Sequence, residues 1–172
     1  LCPRKQIYIA ESEKFAHVTY FFNGGYAQHF CDEKWVKIAS PDVKNFSEKP
    51  EMSAKQLADY AIGAINSKEY DFVVINFANM DMVGHTGDFA AAQKAVTVVD
   101  TAINRIIKTV IQNHGQAIVT ADHGNIEVMI NPESGEPDSE HSTNPVPFIL
   151  INSRVKPKSK LPDGKLANVA PT

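Results

Sequence analysis

Carboxylates and imidazoles recur together at three places in the sequence. The first is Asn79-Met80-Asp81-Met82-Val83-Gly84-His85-Thr86-Gly87, the second Thr120-Ala121-Asp122-His123-Gly124-Asn125, and the third Glu140-His141-Ser142-Thr143-Asn144-Pro145. Carboxylate oxygen and neutral imidazole nitrogen suit a hard or borderline divalent cation and need no thiolate. Asp81 and His85 are four residues apart, so one helical turn or a tight loop lets them converge. Asp122 and His123 are adjacent. On a regular strand they would face opposite ways, but a chain turning at a strand end can present both, and the small Gly124 is expected to allow that turn. Each cluster alone is a weak signal. An isolated Asp-x-x-x-His is common without metal, Asp-His-Gly can be an ordinary turn, and His141 can be a plain loop histidine. Their weight comes from falling at one predicted edge.

That edge follows from the elements around them. Apolar runs with turn-like flanks predict strands at Gln6–Ala10, His17–Phe22, Trp35–Ala39, Asp71–Phe77, Gln116–Ala121 and Val146–Ile151. Two segments have helical periodicity. One runs from about Ser53 to Asn66, with Ser53 and Gln56 as a capping box and Leu57, Ala61, Ile62 and Ile65 as its apolar stripe. The other runs from near Asp88 to Asn113, with Val96, Val99, Ile103, Ile106, Ile107 and Val110 facing inward and Gly115 as its stop. The order Asp71–Phe77, helix, Gln116–Ala121 predicts a βαβ unit in a parallel sheet covered on both faces. In an open parallel sheet, ligands bind beyond the carboxyl ends of the strands. The first two clusters directly follow such ends.

Composition narrows the class. The chain has 172 residues, 43% hydrophobic and 22% charged, with a net charge of −3. This balance speaks against a disordered acidic tail or a nucleic-acid-binding arm. No apolar run approaches the roughly 18 residues of a membrane span, and Leu1-Cys2-Pro3-Arg4-Lys5 does not open a signal peptide. Cys2 and Cys31 are read as two reduced thiols, and the Asn45-Phe46-Ser47 acceptor pattern as chance. His17 is expected to pack in its strand and His29 to lie on the surface. Neither a phosphate-binding Gly-x4-Gly-Lys-Ser/Thr loop nor a Gly-x-Ser-x-Gly elbow occurs.

Four segments together carry a family resemblance: Ala10 to Gly25 (Ala-Glu-Ser-Glu-Lys-Phe-Ala-His-Val-Thr-Tyr-Phe-Phe-Asn-Gly-Gly), Asp81 to Gly87, Thr120 to Asn125, and His141 to Pro147. In this order they resemble the cofactor-independent phosphoglycerate mutases of the alkaline-phosphatase-like superfamily, over nearly the whole chain. The resemblance implies a three-layer α/β domain with a mostly parallel sheet, of which residues 1–172 are the C-terminal portion of the metal-binding part. It implies two divalent ions, manganese first, with zinc, cobalt or iron as alternatives. Asp81, His85 and His141 would ligate one, Asp122 and His123 the other, and Lys14 would contact the phosphoryl group or its serine carrier. The implied reaction interconverts 3-phosphoglycerate and 2-phosphoglycerate in glycolysis, in a cytoplasmic and monomeric enzyme with no nucleic-acid or membrane partner. No serine here matches the family's nucleophile motif. The nucleophile, a further aspartate ligand and the substrate-gripping domain are expected in the parent enzyme outside these residues, and the fragment alone is expected to be inactive. The alternatives are a metal-dependent phosphatase or hydrolase of the same superfamily, or a non-catalytic metal-binding module.

Overall fold

In the computed structural model, residues 4–131, 134–138, 140–152, 154 and 160–171 are described. Strand β1 (Gln6–Glu11) lies between β2 (Glu33–Ile38) and β3 (Phe72–Asn76), and both ladders are parallel. Ile9, for example, sits opposite Val36 on one side and Ile75 on the other. A strand paired on both edges and covered on both faces must be apolar throughout. Ile7, Tyr8, Ile9 and Ala10 are accordingly all buried.

Helices α1 (Ala54–Ser67) and α3 (Phe89–Gln112) cover one face. Ile7, Ile9, Leu57, Ala58, Ala61, Ala64, Ala102, Ile106 and Val110 form that core. Alanines make up much of the buried helix contact, and several larger residues of the expected stripes lie at its margin or outside it. Ile62 and Ile65 are half-buried in α1, as are Ile103 and Ile107 in α3, and Val96 is exposed. On the opposite face Tyr8 and Ala10 meet Val18, with Trp35 and Val74 around them.

The helix ends differ in part from their expected chemistry. Asp88 caps α3, its carboxylate accepting from the Ala91 N–H at 3.0 Å. Ser53 precedes α1 but makes no capping box. Its hydroxyl donates to the Ala39 carbonyl at 2.8 Å, and its N–H is taken at 3.1 Å by Glu11, a fully buried carboxylate at the end of β1. At the end of α3 the left-handed residue is His114 (φ 56°), not Gly115. The N–H groups of His114 and Gly115 return to Ile111 and Val110 in a Schellman arrangement.

Three further expectations are corrected. His17–Phe22 is not a strand, because residues His17–Phe21 form a π-helical turn. Both edges of β1 are already occupied, and Thr19 donates its hydroxyl to the Phe15 carbonyl at 2.7 Å. Packing thus overrides β propensity. The strand after α3, β4 (Ala117–Thr120), does not join β3 in one parallel sheet. It pairs antiparallel with β5 (Phe148–Ile151), which returns beside it after the loop carrying His141. Cys31 is disulfide-bonded, so two reduced thiols do not describe the chain. Cys2 lies outside the described residues, as do 153 and 155–159 of the basic stretch near the C-terminus. No helix among the described residues is long and apolar enough to cross a membrane.

Candidate metal centre

The chain leaves β3 and enters the short helix α2 (Asn79–Gly84), which places Asp81 one helical turn before His85. Asp81 Oδ1 lies 3.2 Å from His85 Nε2, 3.1 Å from His141 Nε2 and 3.9 Å from His123 Nε2. Its other oxygen, Oδ2, is paired with the Lys14 ammonium, delivered by the 3₁₀ turn that follows β1. Four separated segments therefore meet on one carboxylate. Asp81 and Lys14 are shielded from solvent, with side-chain exposures of 14% and 9%. The rings of His123 and His141 stack at 3.7 Å, and those of His85 and His141 lie 5.1 Å apart.

Burial by itself would raise the Asp81 carboxyl. The Lys14 hydrogen bond and charge outweigh it, with help from Asn125 and His85, and hold it down at about 2. The group is therefore an anion at any physiological pH. Asp122 stands at the rim, more than half exposed, with Oδ2 3.5 Å from His123 Nε2. His123 thus lies between the Asp81 hub and the Asp122 rim.

The donor set passes a simple test of fit. Ligand atoms of Asp81, His123 and His141 lie within 4.8 Å of one another, and His85 shares the same carboxylate oxygen. One largely shielded anion facing three imidazoles matches the nitrogen-and-oxygen chemistry of a borderline divalent cation.

Two glycines make room for this assembly. A Cβ on Gly84 would overlap the Asn125 side chain, and one on Gly124 would overlap the Ser142 hydroxyl and the Glu127 carboxylate. Gly124 is needed for this close approach. It does not supply a left-handed turn, since it is absent from the positive-φ glycines.

Three residues here carried no role in the sequence reading. Asn125 donates from Nδ2 to Asp81 Oδ1 at 2.7 Å, while its buried Oδ1 has no hydrogen-bond partner. Glu127 accepts from the Asn125 N–H at 2.8 Å. The Ser142 hydroxyl, against a rise from burial, draws the Glu127 carboxyl below its ordinary range. His17, expected inside a strand, lies exposed on the π-helical turn. Its imidazole is lowered first by burial and then by Lys14, against the opposing charges of Asp122 and Asp81. The available signal was their polarity within or beside the recognised motifs.

The sequence model of the metalloenzyme superfamily matches residues 4–172. The chain belongs to the metalloenzyme superfamily. Within that superfamily it is 47% identical over 169 residues to a 2,3-bisphosphoglycerate-independent phosphoglycerate mutase of Clostridioides difficile (strain 630), covering 98% of this chain and 33% of the relative. Identity is 51% over 168 residues to mutase 2 of Methanosarcina barkeri (strain Fusaro / DSM 804), covering 97% and 31%. This superfamily member also superimposes on a crystal structure of Leishmania mexicana phosphoglycerate mutase obtained at low cobalt concentration. The TM-score is 0.83 at 34% identity, over 90% of this chain and 30% of that one. The chain spans about a third of the length of the curated relatives it matches.

Proposed function

We propose that the full-length protein interconverts 3-phosphoglycerate and 2-phosphoglycerate, and that residues 1–172 are the C-terminal portion of its metal-binding domain. The observation carrying this reading is the convergence of His85, His123 and His141 on Asp81, with Lys14 on its second oxygen, in a chain so similar to phosphoglycerate mutases. Asp81, His85 and His141 would hold one divalent ion, and Asp122 with His123 the other. Bound ions would lower the pKa of a serine nucleophile contributed by another segment and neutralise the phosphoryl charge.

The chain's own residues define the rest. Asp81 fixes the Lys14 ammonium in a shielded position beside the centre, where it can stabilise negative charge accumulating on a transferring phosphoryl group. Asn125 fixes the orientation of the Asp81 carboxylate through its Nδ2 donor. Asp122, open to solvent, stands beside His123 at the rim of the centre. The reading places the protein in cytoplasmic glycolysis, as a monomer using manganese first, with zinc, cobalt or iron as alternatives that Asp and His donors also accept.

The test is a product assay on the full-length protein supplied with Mn²⁺ and 3-phosphoglycerate. Formation of 2-phosphoglycerate, lost on Asp81→Asn, is the expected result. Release of inorganic phosphate without 2-phosphoglycerate would replace the mutase reading with a hydrolase of the same superfamily. Absence of both products would remove the catalytic reading altogether.

A further inference from the structure

The two loops that bring His123 and His141 to the centre are anchored in different ways. Residues 124–130 are tied into the apolar interior. Met129 is buried with Val83, Ala91, Ala92 and Ala95, and Ile126 packs against the same cluster. The segment from Glu140 to Pro145 has no such anchor. None of its residues is buried; the Glu140 N–H donates to the neighbouring Asp138 at 3.0 Å, and hydrogen bonds to distant parts of the chain run to Asp81, Gly124 and Glu127. A loop without apolar burial is held by its polar partners alone.

Two of those bonds end on one side chain, Glu127. Glu127 Oε2 accepts the Asn125 N–H at 2.8 Å, within its own loop. Its Oε1 accepts the Ser142 hydroxyl and, at 3.2 Å, the Asn144 amide. The Ser142 N–H adds a bond to the Gly124 carbonyl at 2.9 Å, and the bare Cα of Gly124 leaves room for this seam. Ser142 directly follows His141, and Gly124 directly follows His123. The seam therefore sets the spacing of the two stacked imidazoles.

We propose that Glu127 is a positioning residue: its carboxylate staples the loop of His141 to the loop of His123 and so sets the affinity of the centre for a divalent cation. Glu127 lies outside the ligand set and acts through Ser142 and Asn144. The inference rests on the cation reading of the Asp81 centre. Each oxygen of the carboxylate has its own donors, so the pattern demands two acceptors. Glutamine supplies only one, and its amide would point a donor at the Asn125 N–H or at Ser142. Glu127→Gln therefore breaks one leg of the staple, Ser142→Ala weakens the leg to the His141 loop while the Asn144 amide remains, and Glu127→Ala breaks both.

The test uses the full-length protein, freed of metal and titrated with Co²⁺ alone, whose visible absorption reports both occupancy and coordination geometry. Outer partners of metal ligands typically govern affinity by about 10–100-fold. Glu127→Ala is expected to raise the Kd for Co²⁺ by that factor and to shift the absorption bands, with the melting temperature of the metal-free protein almost unchanged. Glu127→Gln and Ser142→Ala are expected to give smaller losses in the same direction, and they carry the test if Glu127→Ala does not fold. Wild-type Kd and band positions in the folded variants would overturn the staple while leaving the cation site standing. A wild-type protein giving no Co²⁺ absorption would overturn both.

Discussion

The body of the molecule and its histidine loops are held by opposite kinds of force. In the body, β1 is buried on both faces and Leu57 is wholly enclosed between strands and helices. Burial of this kind stabilises by roughly 25 cal/mol per Å² and is indifferent to exact direction. The loops instead converge on two carboxylates: Asp81, shielded and ion-paired, and Glu127, exposed and multiply hydrogen-bonded. Each hydrogen bond of this kind contributes at most about 1.5–3 kcal/mol net, but it fixes direction well. The body should therefore determine whether the chain folds, and the loops whether it holds a cation. The two properties should be separable by mutation.

The strongest challenge to that separation is His141→Ala in the full-length protein. His141 is half exposed and has no apolar anchor, so its loss should leave the unfolding free energy of the metal-free protein within about 0.5 kcal/mol of wild type. Cation affinity and mutase activity should fall at least about 100-fold, the upper end of what an outer partner governs. Calorimetric titration with Mn²⁺ and a urea melt of the same samples check both halves. A large stability loss would show that the loop supports the body after all.

Leu57→Ala is the reverse case. A fully buried leucine between α1 and β1 should cost about 2–5 kcal/mol, according to how far the alanine-rich interface collapses into the gap. The fraction that remains folded should bind Mn²⁺ with wild-type affinity. Urea denaturation measures the first and titration at low temperature the second. Weakened binding in the folded fraction would couple core and centre and so break the comparison.

Within the body, Glu11 is a buried carboxylate at the end of β1. Burial pushes its carboxyl above the ordinary 4.5, only partly offset by the Ser53 N–H and the nearby hydroxyls. Folded chains then hold this proton to higher pH than unfolded ones. Between the two values folding takes up a proton, so stability is full below the ordinary value and declines as pH rises through the raised one. Glu11→Gln keeps an acceptor for Ser53 and cannot ionise. It should flatten this part of the stability profile, gaining on wild type above the window. Urea melts from pH 4 upward check the slope, and parallel profiles would show that Glu11 does not titrate differently on folding.

The same division explains what could be read without coordinates. Body elements carry their physics locally. The apolar run of β1, the periodicity of α3 and the Asp88 cap are all properties of adjacent residues. The centre was legible as far as chemistry is written in residue type: Asp81, His85, His123 and His141 are brought together, with Lys14 behind Asp81 and Asp122 at the rim. Relations between distant segments were not legible. Glu127 matters only because Ser142 and Asn144 arrive beside it. His17–Phe21 turns helical with Val18 packed on Tyr8 and Ala10 of the sheet, a contact between separate segments. The antiparallel partner of β4 comes from beyond a long loop. Val96 faces outward while Ala92 and Ala95 beside it are buried against Val83 and Met129, a choice of face that a pattern of large residues does not record.

The smallest effect is expected at the end of α3, a part of the body's own framework. His114 holds φ 56°, a left-handed conformation that costs a residue with a Cβ roughly 1–2 kcal/mol. The Schellman bonds of His114 and Gly115 to Ile111 and Val110 hold it there. Gly115, next in line, has ordinary φ and is packed close, since a Cβ on it would meet Val110 Cγ1 at 3.1 Å. The conformational freedom of glycine is thus needed one residue earlier than glycine occurs. His114→Gly should relieve the strain, partly offset by the greater freedom of the unfolded chain, for a net gain of about 0.5–1 kcal/mol. Cation affinity should stay at the wild-type value, because the change lies within the body's own framework. A urea midpoint that falls would mean that the imidazole makes a compensating interaction at this helix end, such as a favourable charge near the last carbonyls. A salt series would identify it, because screening weakens such an interaction.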